Sequence, residues 1–367
     1  MPNNPRYVQI EPTTRCNFTC GFCAGRHLEQ QDMELSTFKK LIDSLEGIEH
    51  VELQGEGEPL LHPDFFSMVR YLRTKFPQVR ISLITNGSLF TADIIEELLE
   101  ASLESVMVSL ESVNEEEFQV IRGGKLSRVR RGLAQFLERK AAWEGPVPRV
   151  GFAVTLLRDT YAGLSAVAEL YDVLGMDGGI LLQPLQTMSA YRQFYDENIV
   201  RNLLRTSDRR NIREIIASDK PLSNLLQQYA ASSSFYSELR NSIPNPEASC
   251  PWLEQGLYVS ASGITASCCF VKDAEKDGFG ALDGNTQSVL EQRQTMLNRL
   301  KAGDTPSQCH DCGIAVNLRA KYPLDSVDVP VPEQVARMQE LVTEALDGGE
   351  SLKTMTELKA EGHKAAK

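Results

Sequence analysis

The sequence predicts an α/β protein: a parallel sheet assembled from successive βα units, followed by a small cysteine-bearing domain and a helical tail. Three observations carry that prediction. Short runs of β-branched and apolar residues alternate with longer amphipathic runs through the first half, the pattern of strands joined by crossover helices. Residues able to do chemistry recur just after the short runs, where parallel βα folds gather their ligand groups. The eight cysteines of the 367-residue chain fall in clusters, three near the start and five from residue 250 onward.

Taken in order, strands are expected at 7–11, 50–54, 80–85, 105–110, 149–156 and 179–182. Helices are expected between them at 36–45, 63–75, 91–101, 115–121, 125–143 and 164–174. The first of these has Phe38, Leu41, Ile42 and Leu45 on one face, with Ser36 as its cap. Residues 5–187 read as the βα domain, 188–249 as a linker of short helices, 250–320 as the second domain, and 331–367 as a C-terminal helix and tail. Within the second domain, Tyr258 to Ala266 reads as a hairpin. In the tail, Met338, Leu341, Val342 and Leu346 recur at helical spacing.

Composition bounds the function classes. An apolar content of 42% with 24% charged residues is ordinary for a globular protein. No run of 18 apolar residues exists, and the start Met1-Pro2-Asn3-Asn4-Pro5-Arg6 lacks the basic and apolar regions of a signal peptide, so a cytoplasmic protein without membrane association is expected. In a reduced compartment, clustered cysteines read as metal ligands rather than disulfides. A net charge of −12 argues against nucleic-acid binding, which neutralises phosphates with Lys and Arg.

The stretch Cys16-Asn17-Phe18-Thr19-Cys20-Gly21-Phe22-Cys23 places three thiols directly after the first strand. Three cysteines on one loop, with no fourth nearby, suit a [4Fe–4S] cluster that keeps one iron open to an outside ligand. The Cys-x3-Cys-x2-Cys spacing, with an aromatic before the last cysteine, resembles the signature of the radical S-adenosylmethionine (radical SAM) enzymes. The six βα repeats match that family's partial (β/α)6 TIM barrel. The resemblance implies that Cys16, Cys20 and Cys23 hold the cluster, that its open iron is chelated by S-adenosylmethionine, and that one-electron cleavage yields a 5′-deoxyadenosyl radical. Phe22 then packs near the adenine, or is simply a core aromatic.

Further strand ends extend the resemblance. Gly55-Glu56-Gly57-Glu58-Pro59 is similar to the family's Gly-x-Gly-Glu-Pro form, with Gly57, Glu58 and Pro59 matching and Glu56 at the variable position; it implies contact with the amino group of S-adenosylmethionine. His62 reads as a helix-entry residue rather than a ligand. Thr85-Asn86-Gly87 and Val108-Ser109-Leu110-Glu111 match two more strand ends, with Glu111 standing where relatives carry Asp; Asn86, Ser109 and Glu111 are the implied cofactor contacts. Arg122 matches an arginine that approaches the methionine carboxylate in such enzymes, or is an exposed helix-end arginine. Gly179 to Leu185 resembles the last barrel strand, near the adenine, with Gln183 as its contact. The helix opening at Lys125-Leu126-Ser127-Arg128-Val129-Arg130-Arg131 reads as a solvated basic face, or a docking patch for an acidic flavodoxin- or ferredoxin-type reductant.

Cys250, Cys268, Cys269, Cys309 and Cys312 form the second constellation. Two separated cysteine pairs read generically as a zinc knuckle. Their order, a cysteine, then Gly-x4-Cys, a helix and Cys-x2-Cys, resembles the twitch form of the SPASM extension, which implies one auxiliary [4Fe–4S] cluster on Cys250, Cys268, Cys309 and Cys312. Cys269 is left over, as a small buried residue or as a catalytic hydrogen-atom donor to a substrate radical. His310 is expected beside the ligands or exposed. The implied function is hydrogen abstraction from a ribosomally made peptide, giving a cross-link, an oxidation or an epimerisation. The near-immediate entry into the first strand, without an evident leader-binding module, fits instead a small polar molecule such as an aminocyclitol or sugar. A non-catalytic electron carrier is the competing class.

Overall fold

The computed structural model describes residues 4–232, 250–313 and 315. By their contacts the described residues form one compact unit. The expected tail helix lies outside the described residues, as do the end of the expected linker and the end of the second domain.

Six parallel strands form in sequence order: β1 (Tyr7–Ile10), β2 (His50–Leu53), β3 (Arg80–Thr85), β4 (Ser105–Ser109), β5 (Arg149–Leu156) and β6 (Ile180–Pro184). Helices α1 (Leu35–Asp43), α2 (Phe65–Lys75), α3 (Ala92–Glu100), α4 (Glu115–Arg122), α5 (Leu126–Ala141) and α6 (Leu164–Val173) lie between them in the chain. One strand face, with Val8, Ile10, Val51, Leu53, Ile81, Leu83, Val106, Val108, Val150 and Phe152, packs against the helices as the main core. The period of two sends the intervening side chains to the other face, which encloses the site. That inner face is divided. Ile84, Met107, Ala153, Leu181 and Tyr229 make an apolar patch beside β3–β6. Beside β1 and β2 it is polar: Tyr7 donates to Glu52 at 3.0 Å, and His50 Nε2 meets Ser82 Oγ at 2.7 Å. Burial pushes the His50 pKa down to about 3, so the ring is neutral.

Three features depart from the sequence expectation. Helix α1 begins at Leu35 with Glu34 at its N-cap, so Ser36 lies inside the first turn rather than capping it. The region read as a linker carries α7 (Glu197–Arg201), α8 (Thr206–Ser218) and α9 (Lys220–Ser232); α9 packs on β6, giving the last barrel strand its helix, and Leu222, Leu225 and Leu226 join the main core. The C-terminal hairpin also continues the barrel sheet. Following α10 (Pro251–Gln255), strand β7 (Gly256–Val259) pairs parallel to β1, and β8 (Ile264–Ala266) and β9 (Gly280–Ala281) extend it antiparallel. The strand order is β6-β5-β4-β3-β2-β1-β7-β8-β9. Helix α11 (Thr286–Lys301) then leads to the last two cysteines.

Candidate functional site

The first cysteine loop is held from three directions, two by backbone bonds and one by a side-chain fork. Thr19 N and Gly21 N donate to the carbonyls of Arg122 and Ile121 at the end of α4, at 3.0 and 2.8 Å, and Glu58 N donates to Arg15 O at 2.8 Å. Arg15 forks onto Asp32 at 2.9 and 2.7 Å, closing the loop base. Gly57 lies so close to residues 13–15 that a Cβ would stand 2.7 Å from Arg15 O and 2.8 Å from Thr14 C. Here the glycine is required by close approach. At the other end of the loop, Gly123 caps α4 in the left-handed region (φ 68°), and a Cβ there would overlap Thr19.

Around this loop the strand-end residues take distinct roles. Glu58 accepts from Thr85 Oγ1 (2.7 Å), Asn86 N (2.6 Å) and Leu60 N (3.2 Å). Burial nevertheless pushes its carboxyl above the usual range. Asn86 Nδ2 donates to Asn17 at 2.9 Å and lies 3.9 Å from Cys16 Sγ. Glu58, Asn86, Ser109, Gln183, Gly57, Phe22 and Arg122 all line one cavity of about 1140 Å³. Pro59 and Glu111 are not among its lining residues. Pro59 is buried at the start of a short 3-10 turn. Glu111 instead forms a fork with Arg122, through Nε and through Nη2 at 2.6 Å, with side chains only 1% and 7% exposed. Arg122 is therefore no solvated helix end. Its Nη1 lies 3.8 Å from Cys20 Sγ and its guanidinium 5.5 Å from the centre of the Phe22 ring. His62 accepts from Asp64 N and meets Met33 O at 2.9 Å, as a helix-entry residue does.

The second cysteine set lines the same cavity: Cys250, Cys268, Cys269, Cys309 and Cys312 stand with Cys16, Cys20 and Cys23 in its wall. Cys250 caps α10, Cys268 follows β8, and Cys312 N donates to Cys309 O at 3.2 Å. Met188, Tyr191, Trp252, Tyr258 and Val271 pack around them in a second apolar cluster. His310 is exposed, with Nε2 3.0 Å from Thr305 O. All eight cysteines are free thiols. Burial pushes Cys20 and Cys268 up to about 11 and Cys250 up to about 12, so ligation and proton loss must go together. Among the described residues, no three His, Cys, Asp or Glu side chains stand at single-ion spacing. The donor chemistry fits iron–sulfur ligation: sulfur-rich sets, three thiols in the first and five in the second, lining one cavity.

Sequence reasoning passed over the residues between the two sets. Lys272 pairs with Glu56 and donates to Cys269 O at 2.9 Å. Glu56 Oε2 lies 3.2 Å from Cys23 Sγ and 3.1 Å from Gly25 N. Glu11 accepts from Glu56 N (2.6 Å), Tyr258 OH (3.1 Å) and Ala261 N (3.3 Å), while burial pushes its pKa up to about 7. Gln9 Oε1 and Gln54 Oε1, both on cavity-lining residues, are buried and make no hydrogen bond among the described residues. The only advance signal was the inward alternation of 9, 11 and 54 with their strands; Lys272 had none.

The comparisons agree with this geometry. The model of the Radical SAM superfamily matches residues 10–158. A tungsten-containing aldehyde ferredoxin oxidoreductase cofactor-modifying protein of Pyrococcus furiosus is 29% identical over 53% of this chain and 56% of its own length. An AdoMet-dependent heme synthase of Methanosarcina barkeri is 35% identical over 34% of this chain and 36% of its own. The chain thus spans between about a third and somewhat over half the length of these curated relatives. Among solved structures, Streptococcus suis SuiB bound to the precursor peptide SuiA superposes with a TM-score of 0.60 at 14% identity, covering 85% of this chain and 70% of that one. Native anSMEcpe with AdoMet and the Cp18Cys peptide gives 0.59 at 17% identity, covering 86% and 96%. The parallel sheet, the three-cysteine loop after its first strand and the matched family model together identify residues 10–158 as a radical SAM domain.

Proposed function

We propose that this chain is a radical SAM enzyme that abstracts a hydrogen atom from a ribosomally made peptide, producing a cross-link, an oxidation or an epimerisation. The observation that carries this reading is the shared cavity, whose wall carries both cysteine sets. Its 1140 Å³ exceeds the roughly 300–1,000 Å³ of a site for one drug-sized ligand, leaving room for a cofactor and a substrate segment side by side. Two of its structural neighbours were solved with peptides bound.

Cys16, Cys20 and Cys23 would hold the first [4Fe–4S] cluster. Gly57, Glu58, Asn86, Ser109, Arg122, Gln183 and Phe22 would orient S-adenosylmethionine, and Cys250, Cys268, Cys309 and Cys312 would hold the auxiliary cluster. Bound there, cluster and S-adenosylmethionine supply a 5′-deoxyadenosyl radical at the expense of one electron. Cys269, in the wall of the same cavity, would serve as the hydrogen-atom donor: its S–H bond breaks as a substrate C–H bond forms, and the thiyl left behind takes one electron from a flavodoxin- or ferredoxin-type reductant and a proton from water. The exposed Lys125, Arg128, Arg130 and Arg131 offer that acidic protein a docking face. Free thiols suit a reduced cytoplasm. Among the described residues no helix is long and apolar enough to cross a membrane. We assign neither a nucleic-acid partner nor a membrane one.

A small polar substrate is the second reading, favoured by the GTP 3′,8-cyclase and heme synthase names among the curated relatives and by the buried, unpaired oxygens of Gln9 and Gln54. Acceptors in a cavity wall want a ligand with N–H or O–H groups. The test is anaerobic reconstitution with iron and sulfide, followed by dithionite, S-adenosylmethionine and panels of deuterated peptides and aminocyclitols. About eight irons per chain, 5′-deoxyadenosine release and deuterium transfer from a peptide are expected. About four irons with one zinc would overturn the auxiliary cluster, transfer only from a cyclitol would overturn the peptide, and loaded clusters that cleave nothing with either panel would leave an electron carrier. With a substrate in hand, Gln9→Leu is expected to raise KM about tenfold, the value of one hydrogen bond of about 1.4 kcal/mol, with a smaller change in kcat.

A further inference from the structure

The Glu56–Lys272 ion pair joins the glycine loop of the first cysteine region to the segment that follows Cys269. Glu56 belongs to the glycine loop after β2, and Lys272 lies three residues beyond Cys269. Their side chains are 18% and 12% exposed, so solvent screens the pair only in part. Four further contacts fix the geometry. Glu56 Oε2 stands 3.2 Å from Cys23 Sγ and 3.1 Å from Gly25 N. Glu56 N is held at 2.6 Å by Glu11, and Lys272 Nζ is anchored on Cys269 O at 2.9 Å. A continuous path therefore runs from Cys23 through Glu56 and Lys272 to the backbone of Cys269.

We infer that Lys272 is a positioning residue for the first cysteine set: it neutralises Glu56 beside Cys23, and so sets the charge felt by a cluster on that loop. The argument is electrostatic. A cysteine ligates iron as a thiolate, so a bare carboxylate 3.2 Å from Cys23 Sγ would set like charges against each other in a partly dry site. The ammonium removes that repulsion without touching the loop itself. The ammonium and the carboxylate face each other as an ion pair, and Gly25 N gives Glu56 a second donor at 3.1 Å. The inference rests on the reading of an iron–sulfur cluster at Cys16, Cys20 and Cys23. It goes beyond that reading because the glycine-loop position of Glu56 and a lysine in the C-terminal segment act on one centre together.

The sign of the effect separates charge from packing. In the full-length reconstituted protein, the midpoint potential is read from the reduced-cluster EPR signal that changes on addition of S-adenosylmethionine. Lys272→Met leaves an unpaired negative charge, so the potential is expected to move negative. Glu56→Gln leaves an unpaired positive charge and is expected to move it positive. The double variant, neutral at both positions, is expected to return to the parent value. Single variants that shift the same way, or do not shift, would overturn the inference. So would a double variant that stays as displaced as either single, or one that fails to load iron where the parent loads it. Should Lys272→Met itself take up less iron, restored loading in the double variant supports the inference and unrestored loading overturns it. A parent that holds no iron would instead overturn the cluster reading on which the inference rests.

Discussion

Arg122→Met is expected to lower the unfolding free energy of the metal-free protein by about 3–5 kcal/mol, because it strands the Glu111 carboxylate in a place that water does not reach. Glu111 is 1% exposed at its side chain, and besides Arg122 it accepts from Thr155 N at 3.3 Å. The fork between the two side chains is what compensates the burial of a carboxylate between α4 and β5. Denaturant titration under reducing conditions measures the loss as a fall in midpoint with little change in slope. Removing both charges is a different matter, since a buried ion pair replaced by apolar or neutral groups of similar volume is often nearly neutral in stability. Glu111→Gln with Arg122→Met should therefore recover most of what Arg122→Met loses. A double variant as unstable as the single would show that the arginine acts through packing on Phe22 and Cys20 instead. The same contacts give Arg122→Met a second consequence: with the guanidinium gone from beside Cys20, iron uptake at the first cysteine set should fall even under conditions where the chain is folded.

That pair also marks a boundary of what the sequence could tell. The strands were legible within one or two residues, because Val8, Val51, Ile81, Val106 and Val150 each sit in a short apolar run that only a strand covered on one face by helices would carry. The cysteine loop was legible from spacing alone. Glu111 was expected at the cofactor, because its position after Ser109 matched a strand end, yet its carboxylate is committed to an arginine eleven residues later. No local pattern encodes which partner a strand-end acid takes. The pairing of β7 with β1 was illegible for a related reason. It joins residues 7–10 to 256–259, and periodicity reports the face a strand buries, never the partner lying beside it. Lys272 shows the same limit at the site: a lone lysine after a doubled cysteine has no signature, and becomes meaningful only when the hairpin folds it over Glu56.

Gly57→Ala is expected to damage the first cysteine loop while sparing the second set. A Cβ at 57 would stand 2.7 Å from Arg15 O and 2.8 Å from Thr14 C, with Thr13 O closer still. These are backbone atoms, so no side chain can swing aside, and the strand of chain carrying Cys16 must itself move. Overpacking of this kind costs about 1–3 kcal/mol. Part of the displacement falls on Glu58 N, whose bond to Arg15 O at 2.8 Å ties the glycine loop to the cysteine loop. Gly163→Ala is the matched control, because a Cβ there meets nothing within 4 Å and its φ of −87° suits alanine. The measurement is iron per chain after reconstitution, beside a melting curve. The Gly57 variant should retain about four of about eight irons, all at the second set, and lose the EPR change on adding S-adenosylmethionine, while the Gly163 variant keeps both. Equal iron content in the two variants would mean that the loop yields without losing its ligand geometry, and that the second glycine of this motif serves the ligand's approach rather than the packing of the cysteine loop.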